Sequence, residues 1–258
     1  TLGSCGGHPG SPGCAAQPSW IDRLRLIIAA TTVPSDRPLP ARGALVHCDA
    51  VQAAGKVPVD MKSLGAQMLT LSAHKIGGPK GVGALVLGNG MSHLADPLVT
   101  GGGQEFRARS GTENVAGIVG FGVAAEIALH ELKQVELLNG LQTRLEEGIR
   151  ASAADAVVFG SQAERLPNTT CFAVSGMKSE TLVIALDLAG FAVSAGSSCS
   201  SGKVEKSHVL EAMGADDGLA RSAIRVSLGW DTTQDEIDEF IAAWRGIYEQ
   251  FSREAAAA

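Results

Sequence analysis

Short apolar runs separated by glycine-rich turns fill the middle of this chain, and longer mixed stretches fill its second half. Ala44-Leu45-Val46-His47-Cys48-Asp49 is mostly apolar and ends in an acid, the pattern of a central parallel strand. Met61 to Ala66 predicts a short helix or turn. Gln67 to Leu71 predicts a short buried strand, and Val82 to Leu87 predicts a second. Between them lies Ser72-Ala73-His74-Lys75-Ile76-Gly77-Gly78-Pro79-Lys80-Gly81. Met91 to Phe106 is a long loop containing Gly101-Gly102-Gly103. Glu113 to about Ala153 is mostly helical, as two helices or a bent one, with Gly117, Gly120, Gly122 and Gly140 as weak points.

The last hundred or so residues predict a smaller α+β unit. Ala156 to Phe159 and Thr170 to Val174 have the pattern of strands, and Ser179 to Leu188 that of an amphipathic helix. Phe191 to Ser194 predicts a strand that enters a Gly/Ser-rich loop at 195–202. Ser207 to Met213 predicts a helix, and Ala223 to Leu228 alternates like a half-buried strand. A capping box, Thr233-x-x-Glu236, opens the last helix, whose apolar face is Ile237, Phe240, Ile241, Trp244, Ile247, Tyr248 and Phe251. Residues 1–40 differ: they are rich in Gly, Pro and Ser without periodicity and predict irregular chain, although Trp20 to Ile28 suits a short helix or strand. The expected divisions are 1–40, 41–130 and 131–258. No internal repeat is visible.

Composition narrows the class. With 258 residues, 45% hydrophobic residues, 32 glycines and only 4% aromatics, the chain has the profile of an α/β enzyme. A net charge of −6 argues against a nucleic-acid or anionic-membrane surface as its main business. No run of about 18 uninterrupted apolar residues is present, and no secretory signal is evident. Five cysteines, an odd number without a CxxC pair, suit a reducing cytoplasm better than a disulfide framework. Cys5, His8 and Cys14 offer only three ligands in a Gly/Pro-rich stretch, so no metal site is expected.

Lys75 follows a strand on a glycine-rich turn. That setting suits a Schiff base, a phosphate contact or a solvated turn. Asp49 ends an apolar strand, where a lone carboxylate is costly without a partner. Cys199 sits in Ser197-Ser198-Cys199-Ser200-Ser201-Gly202 without apolar neighbours, as an exposed reactive thiol does. Cys48 and Cys171 lie inside apolar strands and are expected in the core. Arg225 alternates with apolar residues and needs an anionic partner.

Together with Arg107-Ala108-Arg109-Ser110-Gly111-Thr112-Glu113-Asn114-Val115 and Ala223 to Gly229, these stretches resemble the cysteine desulfurases, pyridoxal-phosphate enzymes of the class V aminotransferase group. The resemblance runs from about residue 41 to the C-terminus. It implies the aspartate aminotransferase fold type I, with 41–130 as the C-terminal part of the large domain and 131–258 as the small domain. It implies pyridoxal 5'-phosphate held covalently on Lys75, with Asp49 on the pyridinium nitrogen. Gln52 would contact the phenolic oxygen, and Ser72 and His74 the phosphate. Thr112 would reach the phosphate of a neighbouring subunit in a homodimer, or cap a helix instead. Arg225 would hold the carboxylate of L-cysteine, or form a structural salt bridge. Cys199 would take the sulfur as a persulfide and pass it to a sulfur acceptor or iron–sulfur scaffold protein. The short cysteine loop is closer to the nitrogen-fixation and housekeeping branch. A selenocysteine lyase is the nearest alternative chemistry.

One departure is plain. Members of that family are longer at the N-terminus, where they supply a small-residue phosphate turn, a histidine stacked on the ring and an asparagine near the phenolic oxygen. Residues 1–40 contain none of these in matching context, and His8 does not serve for the stacking histidine. The expectation is a truncated large domain, and an inactive fragment or interaction module is the alternative function.

Overall fold

The computed structural model describes residues 24–27, 45–88, 96–196 and 207–257. The first sheet has the order β1 (Leu24–Ile27), β2 (Leu45–Asp49), β3 (Met68–Ser72), β4 (Gly83–Leu87). Strands β1, β2 and β3 run parallel, and β4 returns antiparallel along β3. Leu24–Ile27 therefore takes the strand alternative of the leading segment. Val46, Cys48, Ala50, Ala66 and Leu69 form the core of this layer.

The long helical region is two helices, α1 (Val115–Glu131) and α2 (Val135–Ser152), joined by a 3-10 turn at Leu132–Gln134. The break does not fall at a glycine. A Cβ on Gly120 would lie 2.7 Å from Cγ of Pro79, so this glycine lets α1 approach the turn after β3. Asn114, not Thr112, caps α1: its side chain accepts a hydrogen bond from the Gly117 N–H at 3.1 Å.

The second sheet is antiparallel throughout, in the order β5 (Val157–Val158), β6 (Thr169–Ala173), β8 (Ile224–Ser227), β7 (Ser194–Ala195). Helices α2, α3 (Ser179–Leu188) and α6 (Gln234–Ala257) pack on it around Leu145, Ile149, Phe172, Leu182, Ile224 and Trp244. Two short helices, α4 (His208–Ala212) and α5 (Asp217–Ser222), precede β8. The expected strand at 191–194 is shifted and shortened to Ser194–Ala195. Phe191 packs edge-on against Phe240, with ring centroids 5.3 Å apart, and leaves the ladder to its successors. The capping box forms as expected: Thr233 N–H donates to Glu236 at 2.7 Å, and Glu236 N–H donates to the Thr233 hydroxyl at 3.3 Å.

Val115–Ser152 is long and apolar enough by length and composition to cross a bilayer, a test that core helices also pass. Acidic and basic side chains, among them Glu126 and Lys133, interrupt the stretch.

Glu146 on α2 is the buried charge of the second core. Arg165 grips it with two hydrogen bonds of 2.8 and 3.2 Å, and the Thr170 hydroxyl adds a third at 3.0 Å. Burial pushes its carboxyl up, but these hydrogen bonds and the charges of Arg165 and Arg150 hold it below its ordinary value. The stability it contributes is therefore present above the ordinary carboxylate range and is lost as pH falls through the lowered value. Glu146→Ala leaves Arg165 and Thr170 unpaired and is expected to cost about 3–5 kcal/mol at neutral pH. Urea unfolding reads this as a lower midpoint, and the gap from the unaltered chain narrows towards acid.

Candidate active site

Parallel pairing of β2 with β3 places Asp49 opposite Thr70, so both strands end at the same edge of the sheet. Ligands of open α/β sheets sit outside the carboxyl ends of strands. Asp49 ends β2 at that edge and Gln52 follows it, while Ser72 ends β3 and His74 and Lys75 follow it.

The lysine turn is tightly made. Ala73–Lys75 forms a 3-10 turn, with the Ala73 N–H donating to Val82 O at 3.1 Å. The Ala73 carbonyl accepts from Ile76 N–H at 3.0 Å and Gly78 N–H at 2.9 Å. Ile76 packs with Ala124 and Ala128 of α1. Gly77 has φ +80°, and a Cβ there would lie 2.4 Å from the ring of Trp230. The turn is thus held by a strand, a helix and an aromatic ring from the segment after β8.

The predicted residues divide. The Ser72 hydroxyl and His74 Nδ1 are 2.9 Å apart. His74 and Lys75 line a cavity of about 280 Å³ with Lys56, Gly77, Asn168 and Trp230. Asp49, Gln52, Ser72 and Thr112 are not part of that lining. Asp49 is exposed rather than buried as the apolar strand implied, and its carboxylate accepts the Val51 N–H at 3.0 Å. Nothing in the described structure covers this end of β2. Gln52 and Thr112 are also exposed. Arg109 shapes the loop at Thr112, its guanidinium donating to the carbonyl oxygens of Gly111 at 2.9 Å and Thr112 at 3.4 Å.

Arg225 on β8 pairs in register with Cys171 and with Ser194. Its Nε is buried without a hydrogen-bond partner among the described residues, an orphan donor that suits a carboxylate ligand. Ser194 begins the short strand that leads into the cysteine loop. Cys199 itself lies outside the described residues, as do Cys5, His8 and Cys14. Burial pushes the Cys171 thiol up to about 11, against the lowering effect of Arg225. Burial, then the charge of Asp49, pushes the Cys48 thiol up as well. Cys48 lies in the core as expected, while Cys171 is half-buried against a core cluster; both are poor nucleophiles at neutral pH.

Sequence reasoning missed Lys56. Its ammonium donates to the Lys75 carbonyl at 3.3 Å, and burial, then the charge of Lys75, lowers its pKa. It missed Trp230 too. Neither residue sits in a motif, since each reaches the lysine turn only through the folded chain. The residues present suit a pyridoxal phosphate group in kind: an amine, a carboxylate and a hydroxyl–imidazole pair at the ends of β2 and β3, with a guanidinium on β8 whose buried Nε lacks a partner among the described residues.

Comparison with known proteins gives concordant findings. A family model, aminotransferase class-V, matches residues 37–240. A cysteine desulfurase of Cereibacter sphaeroides is 48% identical over 209 residues, covering 81% of this chain and 53% of that protein. One from Bradyrhizobium diazoefficiens is 46% identical over 202 residues, covering 78% and 51%. The chain spans about half the length of the curated relatives it matches. Among solved structures, a NifS-like protein from Rickettsia africae superposes with a TM-score of 0.69 at 34% identity, covering 82% of this chain and 56% of its own. A cysteine desulfurase from Thermococcus onnurineus superposes with a TM-score of 0.73 at 20% identity, covering 88% and 60%, which bears on fold alone. The fold is the expected α/β fold type I with a partial large domain.

Gly77→Ala is expected to destabilise the lysine turn by about 1–3 kcal/mol, through its positive φ and the Trp230 ring. Combining it with Trp230→Ala recovers part of that loss in a urea double-mutant cycle.

Proposed function

We propose that this chain, which belongs to the aminotransferase class-V family, carries the lysine, arginine and nucleophile of a pyridoxal-phosphate-dependent cysteine desulfurase. The observation that carries the proposal is Lys75 at the end of β3, one strand from Asp49 at the end of β2, in a chain 46–48% identical to relatives named cysteine desulfurase.

When bound, pyridoxal phosphate acts as an electron sink that stabilises negative charge at the substrate Cα. The chain's own residues would do the rest. Lys75 would hold the cofactor at its aldehyde and would move the proton at the substrate Cα. The Asp49 carboxylate, which accepts the Val51 N–H, would hold the ring N–H through a charged hydrogen bond. Gln52 would donate to the phenolic oxygen. The Ser72 hydroxyl, the His74 ring and backbone amides of the turn would receive the phosphate. Thr112, free of the capping role that Asn114 fills, is proposed to serve the phosphate of a second subunit in a homodimer.

Arg225 would clamp the carboxylate of L-cysteine with the guanidinium whose Nε has no partner. The Cys199 thiolate then attacks the substrate sulfur. The new S–S bond forms as the C–S bond breaks, and the electron pair and a proton remain with the carbon, which leaves as alanine. Cys199 keeps the sulfur as a persulfide for a sulfur-acceptor or iron–sulfur scaffold protein. We place this chemistry in a reducing, cytoplasmic setting on the strength of the cysteine usage.

Alanine and sulfide release from L-cysteine under reductant is the test. Cys199→Ser is expected to abolish sulfide release, and Lys75→Ala to reduce turnover by about 10²–10⁴-fold. Arg225→Ala is expected to raise KM for L-cysteine by about 10–100-fold, the worth of a lost charged hydrogen bond. Turnover that survives in Cys199→Ser with L-selenocysteine but not with L-cysteine would assign the chain to lyase chemistry instead.

A further inference from the structure

The segment that leaves β2 returns to the lysine turn. Ala50 to Val57 winds as successive turns, with the N–H groups of Ala53 and Ala54 donating to Ala50 O and those of Lys56 and Val57 to Ala53 O. Two neighbouring residues of this segment press on the turn. Gly55 has φ +73°, and a Cβ there would lie 3.1 Å from Cγ2 of Ile76 and 3.1 Å from Cβ of Ala128, so a glycine is what brings the backbone this close. Beside it Lys56 is half-buried on the wall of the cavity that His74 and Lys75 also line, and its Nζ donates to the Lys75 carbonyl at 3.3 Å.

That carbonyl has need of a donor. Lys75 is the last residue of its 3-10 turn, and the last carbonyls of a helical turn find no partner within it. Among the described residues, no loop or turn N–H donates to it. Basic side chains serve such carbonyls at helix C-termini; here the donor comes from the neighbouring strand's segment, 19 residues earlier. No carboxylate among the described residues stands within ion-pair distance of the Lys56 ammonium, so its charge is aimed at the carbonyl and not at an acid. The lowering of its pKa by burial, then by the charge of Lys75, fits an ammonium held close to the turn. A peptide unit is planar and rigid. A held carbonyl therefore fixes the plane of the peptide that leaves Lys75, and with it the direction of the Lys75 Cα–Cβ bond.

We propose that Lys56 is a positioning residue: it ties the segment that carries Asp49 and Gln52 to the backbone of Lys75, and so sets where the Lys75 amine stands relative to a cofactor held on Asp49. The inference rests on the cofactor reading above. Reacting groups must be held about 3–3.5 Å apart and aligned. A slack tie therefore weakens the bond between amine and aldehyde while leaving the ring and phosphate contacts as they are.

Amide exchange by NMR, on the full 258-residue chain without cofactor, reads the tie itself. Lys56→Met is expected to speed exchange at Ile76 and Gly78, whose N–H groups close the turn on Ala73 O, by about tenfold, the worth of one hydrogen bond. Lys56→Arg, which keeps a charged donor, retains the slow rates, and the urea midpoint is unchanged in both variants. Calorimetric titration then compares pyridoxal phosphate with deoxypyridoxine phosphate, which lacks the aldehyde and has no bond to make with Lys75. Lys56→Met is expected to weaken the first by about tenfold and to leave the second unchanged. Unaltered exchange in Lys56→Met overturns the proposal. Equal weakening of both ligands also overturns it, because Lys56 would then be a phosphate contact or a general support of the site. If the unaltered chain takes up neither ligand, the cofactor reading falls, and the exchange rates alone uphold or overturn the hold on the turn.

Discussion

Parallel pairing of β2 with β3 is the constraint on which the rest depends. It brings two chain segments, ended by Asp49 and by Ser72 to Lys75, to one edge of a sheet. A one-residue slip would turn every side chain of β3 to the opposite face. The lysine turn then needs bracing, because a turn at a strand end is otherwise solvent-facing and soft. Three sources supply it: the β4 ladder, the closely packed α1 and the Trp230 ring over Gly77. Lysine placement is therefore over-determined even where Asp49 and Gln52 stand uncovered.

The second unit answers with a different kind of order. Its core is well filled, with Phe172 and Trp244 meeting edge to face at 5.0 Å and Glu146 fully paired. Against that background Arg225 is conspicuous, since its buried Nε alone lacks a partner among the described side chains. Register with Ser194 ties it to the start of the cysteine loop. Trp230 follows the same strand and touches the lysine turn, so one short segment after β8 connects the proposed carboxylate clamp to the proposed cofactor lysine.

Much of this was legible in the sequence. Strand runs at Leu45 to Asp49 and Met68 to Ser72, the capping box at Thr233 and the apolar face through Trp244 all report local periodicity, which sequence carries directly. Asn114 displaced Thr112 as cap because the helix begins at Val115, two residues later than Glu113. Phe191 left its predicted strand for an aromatic contact that no local pattern encodes. Lys56 and Trp230 were invisible for the same reason: their partners lie 19 residues away or on another unit. Exposure of Asp49 was mispredicted because an apolar strand implies cover that the described part of this fold does not supply.

The central claim is that Lys75 is the amine that holds the cofactor, and Lys56 is its natural rival, since it lies beside the same turn and its pKa is lowered. Loading with pyridoxal phosphate, reduction with borohydride and peptide mapping by mass spectrometry decides between them. A pyridoxyl adduct is expected to saturate on Lys75 at the lowest cofactor concentration. Saturation at Lys56 or spread over surface lysines, with Lys75 unmodified, would contradict it.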